Sequence, residues 1–400
     1  MKRATAFRRT PSAMQGMTLI ELMVALVIGL LLILGVIQIF SASRSAYQLS
    51  AGLARVQENG RFALDYLQRD VRMVGHFGCV NDQAHTRLTP YTLTTTFAAT
   101  PHPALLFNES IQGFEANDTG PGDAVTLLQT PATGGNAYTP ALPAEFAADL
   151  DNRVDGSDIV VLRYLAPEGV PVTAIAGTPD TPNFTFDPSR LEVLQSGVTN
   201  PGLFGVADCK SAVVFQAGAV DVGGSVNANA SAPSNASAFS TVFTAGQTML
   251  YRAETIIYYV GINGTGGPSL YRLRYQATPN GALAAQKEEL VEGVESLQIL
   301  YGQDRVIDPA VAPTGYIDKQ EVAGDIEASW ATPTDAWRRV GAVQLGLVMA
   351  SPEIAAAPQA DETSASALNA LGVTFKPPAD GHFRSVYQTT IALRNRLYGN

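Results

Sequence analysis

The sequence predicts an α+β fold: one long amino-terminal helix, half of it membrane-embedded, whose outer half lies across an antiparallel β-sheet in an enlarged, β-rich head. Three observations carry this. Residues Met17 to Phe40 are apolar except for Thr18, Glu21 and Gln38. No proline occurs between Pro11 and Pro90, although the chain holds 24. Beyond Cys79 the composition turns to Pro, Gly, Thr and Asn separating short β-branched runs, the pattern of strands joined by turns.

The apolar run comes first. About 24 helical residues at 1.5 Å each reach roughly 36 Å, enough to cross a bilayer. Lys2, Arg3, Arg8 and Arg9 precede it and only Arg44 follows closely, so the positive-inside bias keeps the short amino-terminal stretch cytoplasmic and exports the body. A secretory signal peptide cleaved near Ser41-Ala42-Ser43 is the alternative. The run is longer than an h-region of roughly 7 to 15 residues and carries an acid at its start, which argues against it.

The helix continues outward. Leu49, Leu53, Val56, Gly60, Ala63, Leu67 and Val74 recur mostly at three- and four-residue steps, one apolar stripe of an amphipathic helix reaching about Val74. Counted from Thr18, about 57 residues make a rod of roughly 85 Å. Gly52 and Gly60 weaken it by up to about 1 kcal/mol each relative to alanine, so a bend is expected near Asn59-Gly60. The charged face holding Arg61, Asp65, Arg69, Asp70 and Arg72 reads equally as a solvated surface or as a contact for neighbouring helices.

Strands are expected over Ala124 to Leu128, Asp158 to Tyr164, Thr255 to Val260, Ser269 to Tyr275, Leu290 to Tyr301, Val340 to Met349 and Tyr387 to Asn395. Gly261 to Pro268 reads as a hairpin loop between two of them. The Ala-, Ser-, Asn- and Gly-rich stretch from Gly218 to Gly246 has few apolar anchors and reads as a mobile surface excursion, with a similar loop-like stretch from Ile307 to Pro333.

A chain of 400 residues with 46% hydrophobic content and mean hydropathy +0.08 has ample material for such a body. Its net charge of −10, near −14 once the four leading basic residues are set aside, excludes a constitutive nucleic-acid binder. Two cysteines occur, Cys79 and Cys209. In an oxidising exported compartment they are expected to form one disulfide, closing a loop of about 130 residues; a pair of unpaired buried thiols is the alternative.

Catalytic motifs are sparse. His76, His85, His102 and His382 are scattered, and neither a nucleophile elbow nor a phosphate loop occurs. No metal, cofactor or catalytic residue is expected, and the chain is not read as an enzyme. The nearest approach to a metal site is Asp149 to Asp158, whose spaced aspartates resemble a calcium loop. Arg153 occupies a would-be ligand position and the closing glutamate is missing, so an acidic turn leading into a strand explains the segment better.

Glu21 is the residue that the apolar run leaves unexplained. A carboxylate in mid-bilayer costs at least ~2.5 kcal/mol on insertion scales. Thr18 and Glu21 fit a capping box, which accounts for their spacing. Cleavage just before Met17 would supply more: a new α-amino group, positive at neutral pH, able to meet the Glu21 carboxylate of another chain.

Gly16-Met17-Thr18-Leu19-Ile20-Glu21, preceded by Arg8 and Arg9 and followed by the apolar helix, resembles the class III signal of type IV prepilins and type II secretion pseudopilins. The resemblance implies a leader of residues 1–16, cut after Gly16 by a prepilin peptidase, methylation of Met17, and Glu21 as the assembly charge. It implies a transmembrane helix over 17–40, its amphipathic continuation over 41–76 and a globular head over 77–400. Met17 departs from the commonest family residue, phenylalanine.

Leu53 to Cys79, Leu290 to Gly302 and Tyr387 to Arg396 are similar to stretches of PilW-type minor pilins, so the fold expected is pilin-like. That resemblance covers about a third of the chain and implies a type IV pilus subunit that primes assembly and joins a tip complex serving adhesion and twitching motility. Its partners would be other minor pilins, the major pilin, a large tip adhesin and the inner membrane. The subunit would sit in that membrane with a periplasmic head before assembly and on the cell surface afterwards. A type II secretion pseudopilin and a signal-anchored periplasmic enzyme or binding protein are the competing readings.

Overall fold

The computed structural model describes residues 16–80, 92–135, 137–239, 241–311, 313–355 and 366–396. A single helix runs from Leu19 to Val71, roughly 80 Å at 1.5 Å per residue. Between Leu19 and Ser50 none of its residues is buried. Leu19 is 78% exposed and Phe40 70%, surface that only an apolar solvent or other chains would accept.

The buried seam starts at Gly52 and proceeds through Val56, Gly60, Ala63, Leu67, Asp70 and Val71, the three- and four-residue steps of one helical face. The expected stripe is corrected at its membrane-proximal end: Leu49 and Leu53 stay exposed, and the seam runs through Gly52 instead. The reason is close approach. A Cβ on Gly52 would lie 2.5 Å from the Ala355 Cβ, and one on Gly60 2.7 Å from the Tyr387 ring. Where the sequence suggested a bend, the helix runs on unbroken through Asn59-Gly60. Those glycines let its backbone settle onto the strands Val340–Ile354 and His382–Ala392. The helix stops three residues short of Val74, because Met73 N bonds Asp70 O and Val74 N bonds Val71 O before Gly75 turns the chain with φ of 78°.

The seam packs on a four-stranded antiparallel sheet ordered Ile317–Glu321, Val294–Asp304, Val340–Ile354, His382–Ala392. Val56, Leu67 and Val71 join Leu297, Ile299, Leu345, Leu347 and Trp337 in the principal core. Each such buried side chain contributes about 1.5–3 kcal/mol, so the outer half of the helix is an integral part of the head.

A 13-stranded sheet is built around the 14-residue strand Met249–Ile262, and a small three-stranded sheet joins Leu368–Ala370, Val373–Lys376 and Ala124–Thr126. The strand Met249–Ile262 pairs with Ile159–Leu165 and Pro268–Ala277 along its later residues and with Leu203–Ala207 at its start. The hairpin expected at Gly261 to Pro268 is present, and Asn263 holds it by accepting from the amides of Thr265 and Gly267, each at 3.0 Å. Pairing is antiparallel apart from Thr92–Thr95 against the strand Ser211–Asp221 and Val373–Lys376 against Ala124–Thr126.

Three expectations are revised. The run Leu290 to Tyr301 is two strands, Leu283–Glu292 and Val294–Asp304, parted at Gly293, whose φ of +84° and 2.4 Å approach to Ala350 O leave no room for a side chain. The Gly218 to Gly246 stretch is built into the sheet through Ser225–Ala228 and buries Phe239 and Phe243 in the second core. Asn235 fixes it further, donating to Gln216 O and accepting from the Thr96 hydroxyl. The Ile307 to Pro333 stretch carries the strand Ile317–Glu321 and the short helix Ala323–Ala328. Its first part is gathered by the buried Asp304 carboxylate, which accepts from the amides of Val306, Thr314 and Gly315.

Candidate functional site

The amino-terminal site is built on extended backbone that leads into the helix. Gly16, Met17 and Thr18 precede the first turn and are exposed, and a Cβ on Gly16 would meet nothing within 4 Å. A peptide bond that is to enter a protease must be this accessible. Thr18 is the N-cap, with φ of −73° and ψ of 150°. Its hydroxyl accepts from Glu21 N at 3.4 Å while Glu21 Oε2 accepts from Thr18 N at 3.3 Å, so the capping box is formed. The carboxylate therefore sits on the first helical turn, bonded to the Thr18 amide next to the Met17 residue whose nitrogen a cut after Gly16 would turn into a free amine.

At the other end the helix is keyed to the head by charge. Asp70 is buried; it accepts a 2.6 Å hydrogen bond from the Tyr258 hydroxyl and lies 3.5 Å from Arg272, which also pairs with Glu288. Burial and the Asp70 charge hold the Tyr258 hydroxyl well above its usual range. Arg61, Asp65 and Arg69 point to solvent on the opposite side. The charged stretch is thus divided: Asp70 belongs to the seam, and the others form an exposed face. Sequence reasoning missed this because Tyr258 and Arg272 lie about two hundred residues away, although an acid in register with Ala63 and Leu67 was the available signal.

The two cysteines are brought together, with their Sγ atoms 3.0 Å apart and both side chains exposed. This differs from the alternative of buried thiols. The hydrogen bond with Cys209, with a smaller contribution from desolvation, pushes the Cys79 thiol up to about 11.

The calcium-like segment disperses its acids. Asp149 accepts from the Tyr275 hydroxyl, Asp151 pairs with Lys287, Asp155 accepts from Gly135 N, and Asp158 accepts from the amides of Ala116 and Ile299. Arg153 donates to the carbonyls of Ala147, Leu150 and Gly134. Among the described residues no group of three or more His, Cys, Asp or Glu side chains is placed to hold a metal ion. His76 and His382 bond the carbonyls of Leu165 and Ser351, and His102 caps a short 3-10 helix; His85 lies outside the described residues.

One buried acid pair was not anticipated. Glu115, in the strand Ile111–Ala116, adjoins Asp158 where the two sheets meet. Burial, reinforced by the Asp158 charge, pushes Glu115 up to about 10, and burial pushes Asp158 up to about 7 against the pull of its two amide donors. Thr119 Oγ1 donates to Glu115 Oε1 at 3.4 Å, and Asp158 bonds strand to strand through the amides of Ala116 and Ile299.

Comparison with known families agrees with this geometry. Residues 11–37 match the prokaryotic N-terminal methylation motif, a span that contains Gly16, Met17 and Glu21. Residues 257–395 match the family model of type IV pilus-assembly protein W, PilW. No curated protein and no solved structure matches the chain. An apolar amino-terminal helix bearing a methylation motif and seated on an antiparallel sheet is consistent with a pilin-like fold. The two matches support a minor pilin of the PilW family. The second match includes Leu290 to Gly302 and nearly all of Tyr387 to Arg396; the resemblance noted over Leu53 to Cys79 lies outside both matched spans. The helix Leu19–Val71 is long and apolar enough to cross a membrane, and with the prepilin signal it points to membrane anchoring.

Proposed function

We propose that the chain waits in the inner membrane through residues 17–40, with its head in the periplasm, and loses residues 1–16 to a prepilin peptidase. Met17 becomes the methylated amino terminus. Glu21 then meets the terminus of an adjoining subunit, and the protein enters a priming complex with other minor pilins and a large tip adhesin, passing to the cell surface as the pilus grows. In this reading the head, over 77–400, is structural and catalyses no reaction.

The observation that supports the reading best is the position of Glu21. It lies on the first turn of a helix in which no residue up to Ser50 is buried, and among the described residues its side chain bonds the Thr18 cap. A cap needs no carboxylate, since glutamine serves as well in a capping box. Replacing Glu21 by alanine and by glutamine tests the distinction. Both variants are expected to accumulate in the membrane at wild-type level while surface pili and twitching fall to the level of a strain lacking the gene. Full motility with Glu21→Gln would mean that the carboxylate is only a cap.

A further inference from the structure

We propose that Cys79 and Cys209 are joined as an intrachain disulfide that fastens the foot of the long helix to the larger sheet. The inference rests on the reading that the head is exported, because the bond needs an oxidising compartment.

Both partners are held by their own turns. Cys79 follows the helix in a tight reversal where Phe77 N donates to Val80 O at 3.2 Å and Gly78 adopts φ of +76°. Phe77 and Val80 are buried in the core beneath the larger sheet, so the reversal is anchored on both sides of the thiol. Cys209 sits in the turn between the strands Leu203–Ala207 and Ser211–Asp221, where Asp208 accepts from the amides of Lys210 and Ser211 at 2.7 Å each. The two turns touch: a Cβ on Gly78 would lie 2.8 Å from the Ala207 Cβ. With the sulfurs 3.0 Å apart, an approach of about 1 Å reaches the bonded distance of roughly 2.05 Å. The chain has two cysteines, so neither thiol has an intrachain competitor.

The chemistry is thiol–disulfide exchange. One thiolate attacks a sulfur of a disulfide-bearing oxidant, protein or small molecule, and releases one of its thiols; the remaining cysteine attacks the mixed disulfide and releases the second. Two S–H bonds break, one S–S bond forms, two protons leave, and the two electrons reduce the oxidant to its dithiol. The mechanical consequence follows from where the helix packs. Its seam settles on Val340–Ile354 and His382–Ala392 of the smaller sheet, and Asp70 meets Tyr258 and Arg272 of the larger one through a hydrogen bond and an ion pair; Cys209 belongs to a turn of that larger sheet. The disulfide adds a covalent tie to these non-covalent contacts between the larger sheet and the residues that end the helix.

The test uses the full chain extracted from membranes in detergent, alkylated before any reduction, then digested with trypsin. The expected product is the peptide Met73 to Arg87 linked to the peptide Leu191 to Lys210, lighter than the sum by two hydrogens and separated by reductant, with no alkylated cysteine. Two alkylated cysteines in the extracted chain, persisting after incubation with oxidised glutathione, would overturn the bond. Reduced thiols in the extract that oxidised glutathione then bridges would support the pairing and count against export of the head. The double variant Cys79→Ser/Cys209→Ser tests the fastening: it should melt below the oxidised wild type and together with the reduced one, and equal melting of oxidised wild type and variant would contradict it.

Discussion

Residues whose meaning is local could be read from the sequence, and residues defined by a distant partner could not. Gly16, Met17 and Glu21 stand within six consecutive residues beside an apolar run, so their pattern is visible in one dimension. Asp158 was visible only as the last acid of a calcium-like segment, because Glu115, the residue that gives it meaning, lies on another strand. That pair makes a prediction about pH. Folding raises both carboxyls above their unfolded values near 4, so the folded state binds protons that the unfolded state has released. The contribution is complete below about pH 4 and is lost as the pH climbs through about 7 for Asp158 and about 10 for Glu115. Each proton involved tilts stability by about 1.4 kcal/mol per pH unit. Thermal melting of the wild type should therefore fall between pH 7 and 9. Glu115→Gln, whose amide can donate to Asp158 with no proton to lose, should flatten that slope; an unchanged slope would show that the pair does not hold the proton.

At the scale of elements, periodicity located the helix to within a few residues and composition found some of the strands, missing Ile111–Ala116, Leu203–Ala207 and Ser211–Asp221 among others, and packing decided the details. The stripe was drawn through leucines because hydrophobicity was the signal available. The seam chose Gly52 and Gly60 because the sheet lies too close for anything larger. The stretch from Gly218 to Gly246 looked unanchored since its apolar residues are few, yet Phe239 and Phe243 suffice once they meet Phe184 and Phe215. Gly60 allows the competing terms to be weighed. Helix propensity favours alanine there by up to about 1 kcal/mol, whereas overpacking against a ring costs about 1–3 kcal/mol. Gly60→Ala should accordingly lower the unfolding free energy by ~1–2 kcal/mol in denaturant titration, while Gly29→Ala, with open space around it, should not lower it. A stabilised Gly60→Ala would mean that Tyr387 moves aside freely.

For the molecule as a whole, one helix does two tasks. Its outer half is welded into the head by the seam and by Asp70, Tyr258 and Arg272, while its inner half, from Leu19 to Ser50, has no buried residue. The α+β architecture was legible because the two halves differ in composition from each other and from the head. The division of the head into two main sheets was not, since a switch of sheet at Gly293 leaves no mark except a glycine. The account depends on the inner half beginning, in the mature protein, at a charged and modified end placed beside Glu21. The mass of the amino-terminal peptide of the native membrane-extracted protein tests this most directly. A chain that starts at Met17 and carries one added methyl group is the predicted result; a chain that retains the basic leader, or starts beyond Ser43, would contradict it.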